Sequence, residues 1–200
     1  MPFQNRVQPT GEIIFHPSRG QFMGNRGILH DENQQLGKSL WRHKAWVTCV
    51  LEFKNRHRQI MSPRRYTELF FLDEAVAFAA GHRPCAECRR ADYNRFRGFA
   101  DIQTKIADFD AMLHANRAIA RRFGQHRYHT KIDDLPDGTF ILDDQGLPHR
   151  IQQDMLLPYR ISGYGPACTR PKGGVVTVLT PALMVEVLRA GYSLTLAEPG

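Results

Sequence analysis

The stretch "ELFFLDEAVAFAAGHRPCAECRR", residues 68–90, decides how this chain folds. It begins inside "YTELFF", a short aromatic run with strand character. Asp73 then stands where an N-cap is needed, Glu74 falls in the first turn and Gly81 takes the C′ position. "LDEAVAFAAG" therefore reads as a short helix. Cys85 and Cys88 follow at a spacing of three within a run of arginines, and "RADYNRFRGFA" continues as a second helix.

Two thiolates separated by two residues can grip one Zn²⁺, each sulfur about 2.3 Å from the metal. The flanking arginines favour thiolate over thiol. A structural zinc needs further ligands, and there is no second CxxC to supply them. The same spacing also serves dithiol redox chemistry, but the βαβ context of a thioredoxin-like motif is missing. The plainest alternative is a pair of ordinary half-buried cysteines.

Residues 68–90 resemble the second half of the zinc-binding module of the Ada family of methylated-DNA repair and response proteins. In that match Phe70 and Phe71 end the strand, Glu74 to Ala80 form the helix and Arg83 to Arg89 form the knuckle. The likeness extends over about residues 46–92 and is specific only in its last twenty-odd positions. It implies a structural Zn²⁺ and a DNA-related role. The family draws its first two ligands from an upstream Cys-x-x-x-Cys, one cysteine of which accepts a methyl group from DNA phosphate. This chain has "KNRHRQIMSP" there, so that acceptor chemistry is not carried over. Replacement ligands must come from Cys49, His57, His30 or Cys168, with Cys49 in the preceding strand first and His30 second. The whole layout is also similar to a bacterial family of unassigned function, which implies no activity.

Charge supplies the second line of argument. The net charge is +7, and it is uneven: 22 Lys/Arg against 12 Asp/Glu up to Ile132, then five against eight. A basic body with a mildly acidic tail is a layout common in nucleic-acid binders. From Lys38 to Arg65 a single acid, Glu52, accompanies the basic residues, with Trp41, Trp46 and the adjoining Tyr66 interleaved. Such a stretch could track a phosphate backbone while rings stack on bases. Equally, the tryptophans could be core and the arginines merely solvated. The expected nucleic-acid contacts, to DNA or RNA, are Arg56, Arg58, Arg64, Arg65, Arg83, Arg89, Arg90, Arg95 and Arg97. An acidic protein partner would suit the same surface. No apolar run reaches the ~20 residues of a membrane span, and the N-terminus lacks an apolar secretory core. A cytoplasmic location is expected.

An enzyme acting on nucleic-acid phosphodiesters, dependent on His114 with Asp110 or on a metal at His30, is the competing reading. Ile102, Ile106, Phe109 and Leu113 follow helical spacing, predicting a long amphipathic helix from Ile102 to about Phe123. Asp110, His114 and Arg117 then share its polar side, where an Asp–His pair could act as base and Arg could stabilise phosphate charge. A solvated i, i+4 contact explains the same spacing. No phosphate-binding glycine loop, serine elbow or HExxH metal motif is present.

The remaining elements fill in an α+β fold. "AWVTCVLEF" and the following "QIM" read as a hairpin, one short apolar patch within "QFMGNRGILHDENQQLG" as a strand framed by loops, and "GVVTVLTP" as a strand. "ALMVEVLRAG" reads as a terminal helix closed by Gly191. The composition shift near Asp133 divides a basic, knuckle-containing part (1–132) from a β-rich part (133–200), which can also pack as one domain.

Overall fold

The computed structural model describes residues 1–56, 59–100, 103 and 105–197. It is a mixed α+β structure, mostly β. The chain opens with strands β1 (Gln4–Val7), β2 (Ile13–Phe15), β3 (Phe22–Asn25), β4 (Val47–Val50) and β5 (Leu69–Phe71). Helix α1 (Glu74–Ala79), strand β6 (Arg83–Pro84) and helices α2 (Arg90–Phe99) and α3 (Ile106–Arg117) follow. A small hairpin, β7 (Ala118–Ile119) and β8 (Gly124–Gln125), leads to β9 (Tyr128–Lys131). The rest is β10 (Phe140–Leu142), β11 (Pro148–Gln152), β12 (Met155–Arg160), β13 (Gly163–Tyr164), β14 (Cys168–Thr169), β15 (Val175–Val178) and α4 (Ala182–Arg189).

Two sheets organise these elements. The first has the order β2-β1-β5-β3-β4-β6, and the second β13-β12-β11-β10-β15-β9, with β14 also on β12. Helix α1 is buried on every side, which its alanines permit because they let neighbouring strands approach closely. One core joins Val7, Leu69 and Phe71 of the first sheet, Val76 of α1, and Phe140, Leu157 and Leu179 of the C-terminal part. Residues on both sides of the expected 132/133 boundary thus share one core. A second cluster sets Phe78, Phe96, Phe109, Leu113, Met184 and Val187 between the helices. No described helix is long and apolar enough to cross a membrane.

The expected short helix forms as its punctuation dictates. Asp73 caps it by accepting a hydrogen bond from the Val76 N–H at 3.0 Å. Gly81 follows with φ of +77°, a left-handed position that glycine takes without Cβ strain. The acids of this helix do more than cap it. Asp73 also accepts from the Tyr164 hydroxyl (2.8 Å) and the Ala197 N–H (3.2 Å), and Glu74 from the Tyr192 hydroxyl (2.9 Å) and the Thr195 N–H (2.8 Å). These bonds pin the C-terminal segment onto α1.

Two expectations are corrected. The partner of β4 is not the "QIM" segment but β3, with Met23 opposite Cys49. The hairpin reading failed because strand pairing is set by a partner distant in sequence. The long helix stops at Arg117, since Ala118 is already extended (φ −107°, ψ 124°) and residues 118–125 form the β7–β8 hairpin. Its expected start at Ile102 lies outside the described residues.

Candidate metal centre

Parallel pairing of β4 with β6 builds this site. Thr48 lies opposite Pro84, and the Cys85 N–H donates to the Thr48 carbonyl at 2.9 Å. Thr48 points into the core and is wholly buried, so alternation turns Cys49 to the other face of the sheet. Beyond Pro84 the chain turns, and the Arg89 N–H closes back onto the Cys85 carbonyl at 3.2 Å. The outcome is that the sulfurs of Cys49, Cys85 and Cys88 all lie within 4.8 Å of one another. Ligands about 2.3 Å from one tetrahedral ion stand ~3.8 Å apart, so little closure is needed. These three cysteines can hold a metal ion.

The local backbone suits charged sulfur. The Glu87 N–H donates to Cys85 Sγ at 3.4 Å, the Cys88 N–H also reaches that sulfur, and the Val50 N–H donates to Cys88. Hydrogen bonds from Cys49 and Cys88 pull the Cys85 thiol far down, while its contacts with Cys85 and Cys88 push Cys49 far up. Cys88 is drawn down by Cys49, yet Cys85 and burial together hold it above its ordinary value.

Other expected ligands lie elsewhere. His30 is buried, with Nδ1 2.7 Å from the Thr67 hydroxyl and Nε2 3.2 Å from the Ser62 carbonyl, and it is not part of the cysteine cluster. Cys168 sits exposed on β14, its sulfur 3.6 Å from the Leu156 carbonyl. His57 lies outside the described residues, as does Arg58.

The arginines around the knuckle divide into two kinds, a correction to the expectation that they all face phosphate. Arg83 is buried and makes a two-pronged pair with Asp110, both N···O distances being 2.7 Å. Arg89 is buried against Phe22 and pairs with Glu74 (2.7 Å) and Asp92 (2.8 Å). These two bolt the knuckle to α3 and α1. Desolvated carboxylates needed a cation, and these arginines were the ones within reach. Arg56, Arg64, Arg65, Arg90 and Arg95 are exposed, with Arg56 bridged to Glu87 and Arg95 to Asp92, both at 2.7 Å. Arg97 is half-buried.

The expected Asp110–His114–Arg117 set is dismantled by the same packing. Arg83 takes the Asp110 carboxylate. Arg117 is buried over Trp46, 3.9 Å from the ring centre, and donates to the Gly81 and Lys44 carbonyls. His114 packs edge-on to Trp41 and Trp46, and burial, with the charges of Arg117 and Lys44, lowers it to about 4. It is a neutral ring in an aromatic cluster.

Arg26, itself buried and marked by no motif, also lies over Trp46, 4.2 Å from the ring centre. Burial pushes this guanidinium down to about 9. Trp46 is thus buried in the core in contact with two cations, and it is not a ring on which bases stack.

The cysteines open onto a cleft of about 760 Å³. Its floor is the outer face of the first sheet, carrying Met23, Asn25, Val47 and Cys49, with Glu68 beyond. Arg19, Phe53, Arg56 and Tyr66 complete its sides. Glu68, unmarked in the sequence reading, is 4% exposed and accepts the Met61 N–H at 2.7 Å. Counting back by twos from Phe70 would have placed it on this face. No family model, curated protein or solved structure matches the chain.

Proposed function

We propose that this chain is a zinc–thiolate protein in which Cys49, Cys85 and Cys88 hold the metal and the surrounding basic surface binds nucleic acid. The observation that carries the metal is the convergence of three sulfurs from two distant segments. An all-sulfur donor set with backbone N–H support suits Zn²⁺. The ion would tie β4 to the turn before α2, supplying order that so short a β6 cannot. The partner reading rests on the +7 charge and on Arg19, Arg56, Arg64, Arg65 and Arg90, all exposed. Arg19 and Arg56 line the cleft itself. The resemblance of residues 68–90 to the Ada zinc module points the same way.

Elemental analysis of purified protein should find one zinc per chain, lost in Cys85→Ser and in Cys49→Ser but kept in Cys168→Ser. Metal-free wild-type protein purified without chelators would overturn the metal assignment. For the partner, the affinity for a single-stranded or duplex oligonucleotide should fall linearly with log salt, and Arg90→Ala should flatten that slope. Binding independent of salt, or none, would remove nucleic acid as the partner.

A further inference from the structure

Structural zinc sites are closed by four protein ligands, whereas sites that handle ligands keep a position open. Among the described residues, only three metal-ligand side chains converge here. Of the three carboxylates that line the cleft, Glu52 is exposed and is not part of the sulfur cluster, and the other two have other ties. Glu87 is bridged to Arg56 and Glu68 is held by the Met61 N–H. The three sulfurs also border an open cleft of about 760 Å³, a size typical of small-molecule sites.

We propose that this cleft binds a planar nitrogen heterocycle, such as a nucleobase, which replaces water as the fourth ligand of the metal. The inference rests on the metal assignment above. Three thiolates on Zn²⁺ leave the unit with a net charge of −1, so a neutral donor is favoured over an anion at the fourth position. The rest of the cleft suits such a donor. Phe53 and Tyr66 offer aromatic surface for stacking. The Asn25 side-chain amide N–H groups and the Glu68 oxygen not taken by the Met61 N–H lie on the same sheet face as Cys49 and can hydrogen-bond a ring edge. Arg19 and Arg56 also line the cleft and supply positive charge for a phosphate attached to the ring, Arg56 once released from its bridge to Glu87.

The test uses the full chain loaded with Co²⁺, whose visible ligand-field bands report its coordination. Imidazole and adenosine should each shift those bands saturably, and inorganic phosphate should not. Phe53→Ala should weaken adenosine roughly five-fold or more while leaving cobalt binding intact. Bands unmoved by imidazole in the wild type would overturn the inference. A response confined to His57→Ala would overturn it as well, because His57 would then be closing the site itself. If no cobalt binds, the metal assignment falls and this inference with it.

Discussion

Arg89 offers the sharpest test of how the knuckle is held. Its side chain is 2% exposed, and its partner Glu74 is wholly buried. Replacing Arg89 with Met preserves apolar contact with Phe22 but strips Glu74 of its only ion-pair partner among the described residues. The Tyr192 hydroxyl and the Thr195 N–H remain as donors. Breaking a buried pair from one side typically costs about 3–5 kcal/mol, because the other charge is left uncompensated. That is a large share of a total stability of about 5–15 kcal/mol. Urea denaturation should show a much lower midpoint at an unchanged slope. The neighbouring exposed Arg90→Met should shift stability by no more than about 0.5 kcal/mol. Acidification gives a second handle. Burial pushes the Glu74 carboxyl up, against the pull of Arg89 and its other donors. Without Arg89 it rises further, so the variant's penalty is full at neutral pH and shrinks as falling pH neutralises Glu74. Equal midpoints for Arg89→Met and Arg90→Met would refute the assignment of Arg89 as a buried bolt.

Two further outcomes follow from the aromatic–cation cluster. His114 is lowered to about 4 and the buried His82 well below its ordinary value, in both cases chiefly by desolvation. The unfolded chain takes up these protons below about 6.5 while the folded chain refuses them, so stability should fall as pH drops from about 6.5 towards 4. Urea midpoints of His114→Gln should decline less over that window, and curves parallel to wild type would contradict the assignment. Gly81→Ala forces a side chain into a left-handed position and sets its Cβ 2.3 Å from Arg117 Cδ. A loss of at least about 1–2 kcal/mol is expected from the backbone alone, read as a lower melting temperature; an unchanged one would show that the turn relaxes freely.

Local features were legible. The Asp73 cap, the Gly81 turn, the CxxC turn and the strand at Leu69–Phe71 depend on neighbours within a few positions, and residue type alone specifies them. The end of α3 was not legible, because apolar spacing continued while the backbone turned into the β7–β8 hairpin. The polar side of that helix misled for a related reason. Asp110 and Arg117 have the spacing of a solvated face, yet both are buried because Arg83, Trp46 and two carbonyls were waiting for them.

Sequence by itself therefore determined that Cys85 and Cys88 stand on one turn behind a capped helix, and that the chain carries excess positive charge. Tertiary structure alone decided that Cys49 joins them, since this depends on β4 lying parallel to β6 across more than thirty residues of intervening chain. It also decided which arginines face water. A guanidinium goes inward only where a buried carboxylate or carbonyl can meet it, and those partners are chosen by packing. The spacing of the arginines along the chain carries no record of that choice.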